Sequence, residues 1–488
     1  MSWPIATARQ VRALDAHTIT ELGVPSLVLM ETAARAVASE LLRRFSGEAA
    51  RGVLVIAGRG NNAGDGYAVA RLLHLAGVPV RVLALAGPMS PDCGLNRRAA
   101  AGVGVPITED GEVSGGVLVD ALFGTGLDRA IDGLAADRIM AINAAKVPVV
   151  AVDMPSGVCT DTGAVLGVAV RAAITVTFDR ARMGQLLEPG VDHCGELVLA
   201  DIGLRGAVPS EAEAKDGPDI AEMLPARAKG SHKGDHGHLA VVAGSPDRAG
   251  AAVLLCRAAM RSGCGLVTLF AAPDTLPRLA ALPPEVMVWV EESIFPALFE
   301  RFDALAVGPG VGVAPERLAM MRALWSEVPC PAVFDADGLT ALASDPRPSR
   351  FDRCITPHPG EAARLLPAFN VMDRVGAARG LSRLAPALLK GRHTLIAAPD
   401  APLVINRTGT AALATAGAGD VLTGLVGALL ARGLRPRDAL IAGAFVHGYA
   451  GELAGEAPIL AGDVAEKLPM ALRTVADRGP VFTRRTLL

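Results

Sequence analysis

Short runs of β-branched and aliphatic residues alternate along the chain with longer stretches whose apolar positions recur at helical spacing. Residues 53–57 (VLVIA), 80–85 (VRVLAL), 117–120 (VLVD), 147–152 (VPVVAV) and 174–178 (ITVTF) predict strands, separated by Ala/Leu/Arg segments of helical period. Strands that alternate with helices pair in parallel, with crossover helices on both faces, so this part predicts a doubly wound α/β sheet. Upstream, residues 7–44 carry Val11, Leu14, Ile19, Leu22, Leu27, Leu29, Met30, Val37, Leu41 and Leu42, interrupted at Gly23 and Pro25. That pattern predicts two helices.

The rhythm weakens over residues 205–228, which are rich in Pro, Glu and Ala, as expected where one core ends and another begins. A boundary near 212 divides the chain into domains 1–212 and 213–488. Beyond it, strands are predicted at 238–244, 266–270, 304–308, 332–336, 354–356 and 394–398, followed by two long apolar helices at 419–432 and 437–453. The fold class is α/β with two doubly wound domains. Their motifs differ, which indicates fusion rather than duplication.

The length of 488 residues fits two to four domains, each able to build a core unaided. Lys and Arg total 47 against 50 Asp and Glu, a net charge of −3 that gives no electrostatic footprint for nucleic acid or an anionic membrane. Seven cysteines without a CxxC pair fit neither a disulfide framework nor a zinc site and read as reduced thiols. No apolar run approaches the roughly 18 residues of a membrane span, and Arg9, Arg12 and Asp15 stand where a signal peptide needs apolar residues. A cytoplasmic protein is expected. Only six of the 47 basic residues are lysines, which gives weight to Lys390.

In the first half, VLVIAGRGNNAGDGYAVARLL runs from a strand through Gly58, Gly60, Gly64 and Gly66 into a helix expected to begin near Tyr67. Glycines let the backbone approach a phosphate, and the amides of a helix start favour an anion. Asn61, Asn62 and Asp65 add oxygen donors suited to a ligand or cation. The next strands end in Asp120, leading to Gly124-Thr125-Gly126, and in Asp153-Met-Pro-Ser156-Gly. Ligands of doubly wound folds collect outside the carboxyl ends of strands, so Asn62, Asp120, Asp153 and Ser156 are expected to converge on one crevice. A helix N-cap explains Ser156 taken alone.

In the second half, His232, His236 and His238 precede a strand without zinc spacing, which favours a loop folding over a ligand. Polar or glycine-rich turns follow other strands at 307–312, 335–338 and 356–361. At 414–424, Gly417 and Gly419 open a long apolar helix with Asp420 directly after them. Amides at a helix start stabilise charge on a transferring phosphoryl group while the Asp takes the proton of an attacking hydroxyl.

The first half resembles the NAD(P)H-hydrate epimerase family (YjeF N-terminal type) through Leu29-Met30-Glu31 with Ala33, GxGNNxGDG, DALFGTGL and DxPSG, over most of residues 7–205. The resemblance implies that Asn61, Asn62, Ala63, Gly64, Asp65, Gly124, Thr125, Gly126, Leu127, Asp128, Arg129 and Ala130 hold a hydrated nicotinamide dinucleotide. It further implies Asp153 as acid/base at the reacting carbon and Asn62, Asp120 and Ser156 as ligands of a potassium ion. Thr32 and Ala63 stand where the family usually has Asn and Gly; Ala63 requires a negative φ.

The second half, over about residues 225–475, resembles the ADP-dependent NAD(P)H-hydrate dehydratases, a group with ribokinase-like folds, through HKGxxGH, VGPGxG, TPHPGE and GAGD. That likeness implies contacts of Ala251, Gly310 and His358 with the hydrated nucleotide. It implies contacts of Lys390, Gly391, Arg392, His393, Thr394 and Gly419 with ADP, which a magnesium ion is expected to accompany, and of Asp420 with the substrate hydroxyl. Thr410 replaces a usual Asn.

Together the two resemblances imply a repair enzyme that epimerises hydrated NADH and NADPH and dehydrates the S form with ADP, with a homo-oligomer expected. Two rivals remain open. A ribokinase-like metabolite kinase fused to a nucleotide-binding sensor predicts a stable phosphorylated product and a preference for ATP. A first half that binds without turnover predicts no loss on changing Asp153.

Overall fold

The computed structural model describes residues 3–290, 299–371, 373–456, 458–480 and, for the backbone alone, 484–486. It divides into one unit of residues 3–212 with the strand Arg484–Thr486, and a second unit of residues 213–480. The chain's last strand therefore belongs to the first unit.

The first unit is built on Val53–Ala57, Val80–Ala84, Ile107–Thr108, Val117–Ala121, Val149–Val152, Ile174–Phe178 and Glu196–Asp201, with Arg484–Thr486 beside the last. Numbered in chain order, the first seven lie as 3-2-1-4-5-6-7 and pair in parallel. That is the Rossmann-like order, which reverses between the first and fourth strands. Strand alternation supplies both cores: Val53, Val55 and Ala57 face one layer, Leu54 and Ile56 the other. Ser26–Ala49, Asn61–Leu75 and Pro91–Gly102 cover the first face, and Gly133–Ala144 covers the second.

One expected boundary moves. The helix after the glycine-rich turn begins at Asn61, not near Tyr67, with Gly60 as N-cap. Ala63 and Gly64 already donate to Gly60 O at 3.0 and 3.2 Å. Glycine does not break this helix because packing requires it: a Cβ on Gly64 would stand 2.7 Å from Met30 Sδ, and one on Gly66 2.5 Å from Ala121 Cβ. Ala63 is helical with negative φ, so its side chain fits.

The second unit carries parallel strands in the order Met287–Val290, Leu266–Ala271, His238–Val242, Ala304–Val307, Ala332–Phe334, Arg353–Ile355 and Ala387–Leu389. Leu395–Ala397 and Leu403–Ile405 then join antiparallel. The two long helices are Ala418–Ala431 and Pro436–Ala454. Gly424 lets the first of them press against Ala249–Arg261, since a Cβ there would lie 2.2 Å from Leu255 O. The residues 205–228 hold more order than their composition predicts, including the short helix Gly217–Met223. No described helix is long and apolar enough to cross a membrane.

Candidate active sites in the two units

A cleft of about 660 Å³ opens where the first unit's strand order reverses, between the turn after Val53–Ala57 and the turn after Val117–Ala121. Asn61, Asn62, Asp65, Gly124 to Arg129 and Asp153 line it. Helical spacing explains the split within the expected dinucleotide segment: Asn61, Asn62 and Asp65 share the cleft side, whereas Ala63 and Gly64 are buried and do not line it. Ala130 is exposed and outside the lining. These three stand apart from the residues that line the cleft. Thr32 also lies outside, its hydroxyl donating to Val28 O at 2.8 Å.

Asp153 follows its strand in a left-handed conformation, φ 62°, held by its amide donating to Val176 O at 2.9 Å. A non-glycine residue held there marks a constrained position. Its carboxylate accepts from Arg182 Nη2 at 2.8 Å, from Thr177 Oγ1 at 3.3 Å, and from the amide and hydroxyl of Thr125. Gln185 Nε2 donates to its carbonyl at 2.6 Å. Arg182 is 2% exposed and also caps the carbonyls of Phe178 and Arg180.

Asp120 and Ser156 lie beneath this cleft rather than in its wall. Asp120 is fully buried, accepting from Ser156 N at 2.7 Å, Ser156 Oγ at 2.6 Å and Leu122 N at 3.3 Å. Burial pushes its carboxyl up to about 6, while the Ser156 bonds pull the other way. No cation pairs with it among the described residues. Ser156 accepts from Phe123 N at 2.9 Å and caps no helix, so the capping explanation is set aside. Above them, both amide atoms of Asn62 are buried without a hydrogen-bond partner, close to Gly124.

Three lining residues had no motif to reveal them. Asp15 and Arg12 come from the helix Ala8–Ala16, which the parallel pairing of Ile5 with Ala181 and Ala6 with Arg182 brings beside Arg182. Burial raises the Asp15 carboxyl to about 6; Arg182 lowers it and Asp153 raises it.

In the second unit, Gly417 takes φ 89° and Asp420 lies in the first turn of Ala418–Ala431, whose start has no side-chain cap. Beneath Gly419 sits an ion pair absent from the motif reading: Lys390 Nζ donates to both Asp335 oxygens at 2.7 and 3.0 Å. A Cβ on Gly419 would lie 3.2 Å from that Nζ. Asp335, 1% exposed, also accepts from Thr423 Oγ1 at 2.7 Å. Burial and then the Asp335 charge raise the Asp420 carboxyl to about 6, with Lys390 opposing.

Ala251 and Gly310 are brought together, since a Cβ on Gly310 would stand 3.1 Å from that of Ala251. His358 caps Pro359–Leu365, its Nδ1 accepting from Gly360 N at 3.0 Å, and Glu361 behind it feels the charges of Asp335 and Lys390. Arg374 donates to Lys390 O and His393 O, and abuts Gly391, bracing the segment that carries Arg392 and Thr394. Thr394 Oγ1 closes that turn on Gly391 O at 3.2 Å. Thr410 caps the turn Ala411–Leu413. The three histidines near 236 do not cluster as a metal site: His232 is exposed, His236 bonds Ser231, and His238 bonds Thr268.

The chain is similar to known proteins over both units. Residues 26–184 match the family described as YjeF-related protein N-terminus, and residues 239–472 match NAD(P)H-hydrate dehydratase. The Bifunctional NAD(P)H-hydrate repair enzyme Nnr of Moorella thermoacetica is 37% identical over 515 residues, covering 97% of each chain. Its namesake in Escherichia coli is 37% identical over 422 residues, covering 83% of this chain and 81% of its own. A ribokinase-like superfamily protein of Enterococcus faecalis, 22% identical with a TM-score of 0.50, covers 56% of this chain and 99% of its own and shares the second fold. The chain belongs to the family of bifunctional NAD(P)H-hydrate repair enzymes.

Proposed function

We infer that the protein restores NADH and NADPH from their hydrates: the first unit interconverts the R and S epimers, and the second dehydrates the S form with ADP, releasing AMP and phosphate. One observation carries this reading. Each sheet presents at its carboxyl edge a carboxylate, Asp153 or Asp420, beside a turn whose amides are open to an anion.

In the first unit, Asn61 and Asn62 offer uncapped helix-start amides to the dinucleotide phosphates, with Arg59 beside them in the lining. Asp153 serves as acid/base at the hydroxyl-bearing carbon next to the ring nitrogen, where water leaves and returns through an iminium-like centre. Arg182 and Thr125 fix its carboxylate, and its negative charge stabilises the cationic centre. A potassium ion fits the orphaned amide of Asn62, the unpaired Asp120 carboxylate and the Ser156 hydroxyl, all hard oxygen donors. When bound it supplies positive charge beneath the Gly124 turn.

In the second unit, Ala251, Gly310 and His358 contact the hydrated nucleotide, and Lys390, Gly391, Arg392, His393, Thr394 and Gly419 contact ADP. Asp420 takes the proton of the C6 hydroxyl as its oxygen bonds the β-phosphorus of ADP and AMP leaves. The C6–O bond then breaks with loss of a C5 proton, which regenerates the dihydropyridine and frees phosphate. A magnesium ion supplies charge neutralisation at the transferring group.

The test is incubation of the purified protein with mixed-epimer hydrated NADH, ADP and magnesium. Consumption of both epimers with release of AMP and phosphate is expected. A stable phosphorylated product formed preferentially from ATP overturns the reading in favour of a metabolite kinase.

A further inference from the structure

We propose that Asp65 is a second catalytic acid/base of the first unit, acting on the hydroxyl-bearing carbon from across the cleft opposite Asp153. This deepens the repair reading and rests on it. Inverting one carbon requires water to leave one face and return to the other. A single carboxylate attends only one face.

Asp65 stands on the helix that follows Val53–Ala57, and Asp153 ends Val149–Val152; the strand Val117–Ala121 lies between them. Gly66, next to Asp65, packs on Ala121 of that intervening strand, where a Cβ would stand 2.5 Å from the Ala121 Cβ, so Asp65 and Asp153 reach the one cleft from different elements. The turn Gly124 to Arg129, which also lines the cleft, comes from the intervening strand.

The two carboxyl groups also differ in company. Asp153 is held by Arg182, Thr125 and Thr177. Asp65 lines the same cleft at 9% exposure, yet no donor or cation partners it among the described residues. A buried carboxyl without a donor is kept neutral, and burial, followed by the charges of Asp153 and Asp15, holds Asp65 well above the usual carboxylate range. The cleft lining also carries Arg12, Arg59, Arg129, Arg182, Asp92 and Asp128, and the nearby Cys93 thiol is pushed up to about 11 by burial and so uncharged at neutral pH. A carboxyl without a donor and an ion-paired carboxylate at one cleft can divide into an acid and a base.

The proton balance closes. Asp65 gives its proton to the C6 hydroxyl oxygen, the C6–O bond breaks, and the ring nitrogen's lone pair forms the C=N bond as water departs. A water then bonds the opposite face of C6, the C=N electrons return to nitrogen, and the water's proton passes to the Asp153 carboxylate. The reverse epimerisation runs the pair in the opposite sense, and solvent exchange resets it.

The experiment measures epimerisation of the isolated R form without ADP in the full-length parent, Asp65→Asn, Asp65→Glu and Asp15→Asn proteins. The Asn variant is expected to lose on the order of 10²-fold or more in kcat with KM within about threefold of the parent. The alkaline limb of its pH profile should vanish, and Asp65→Glu should restore part of the rate. Asp15→Asn should move the alkaline limb to lower pH, because removing a negative neighbour eases ionisation of Asp65. Parental kcat in Asp65→Asn, or a rise in KM alone, overturns the proposal and leaves Asp65 a binding group. An unmoved alkaline limb in Asp15→Asn also overturns it, which keeps the test decisive should Asp65→Asn misfold. Absence of epimerisation in the parent is a different failure, that of the repair reading itself.

Discussion

Asp153 and Asp420 occupy the same kind of place, the carboxyl edge of a parallel sheet, yet their surroundings are built in opposite ways. Asp153 faces its own buried cation, Arg182, and is pinned by hydroxyls and a strained backbone. Near Asp420 the cation, Lys390, is engaged by a different carboxylate, Asp335, and Asp420 is left in a desolvated setting that raises it to about 6. Position on the sheet therefore selects where a carboxylate stands, and at Asp420 burial first and the Asp335 charge second set its proton affinity. A pinned, paired carboxylate suits a site that binds and releases water. An unpaired one held above the usual carboxylate range suits accepting a hydroxyl proton.

Removing the base of the second unit breaks the comparison most strongly. Asp420→Asn should slow ADP-dependent dehydration of the S epimer on the order of 10³-fold while epimerisation continues, read by assaying each reaction separately. Next, Arg182→Met strands the Asp153 charge and should destabilise the first unit by about 3–5 kcal/mol. Urea unfolding measures this, and adding Asp153→Asn in the double variant should recover most of the loss.

The raised proton affinity of the Asp420 carboxylate has a stability counterpart. Its folded carboxyl titrates near 6 against an ordinary 3.8, so its stabilising contribution is complete below the lower value and is lost as pH rises through the higher one. Asp420→Asn should therefore gain on the parent as pH rises from 3.8 through about 6, reaching about 3 kcal/mol at neutral pH, as urea midpoints from pH 4 to about 7 would show. A variant inactive yet more stable marks a residue kept for chemistry. The smallest effect is at the first unit's helix start: Ala63→Gly should cost only about 1 kcal/mol, because that position is helical and needs no positive φ.

Much of this was legible in the sequence. Val53–Ala57, Val117–Ala121 and Ile174–Phe178 are fully buried β-branched runs, and such runs declare themselves. Three-residue strands such as Ala387–Leu389 and Leu403–Ile405 carry no periodicity to read. Asp153 and Asp420 were visible because each lies inside a local motif. Arg182 and Asp15 were not, since they join the site only through pairing of Trp3–Ala6 with Ala181–Arg182, far apart in the chain. Asp335 read as turn chemistry because its partner Lys390 is 55 residues away. The start of Asn61–Leu75 was misplaced because glycines that serve close packing look like a loop.

The most direct test of two separate working sites follows the return of NADH absorbance from mixed-epimer hydrated NADH with ADP and magnesium, in the parent, Asp153→Asn and Asp420→Asn proteins. The parent should restore the whole signal, Asp153→Asn should stop once the S fraction is consumed, and Asp420→Asn should restore none. Full recovery by Asp153→Asn at the parental rate would contradict the account.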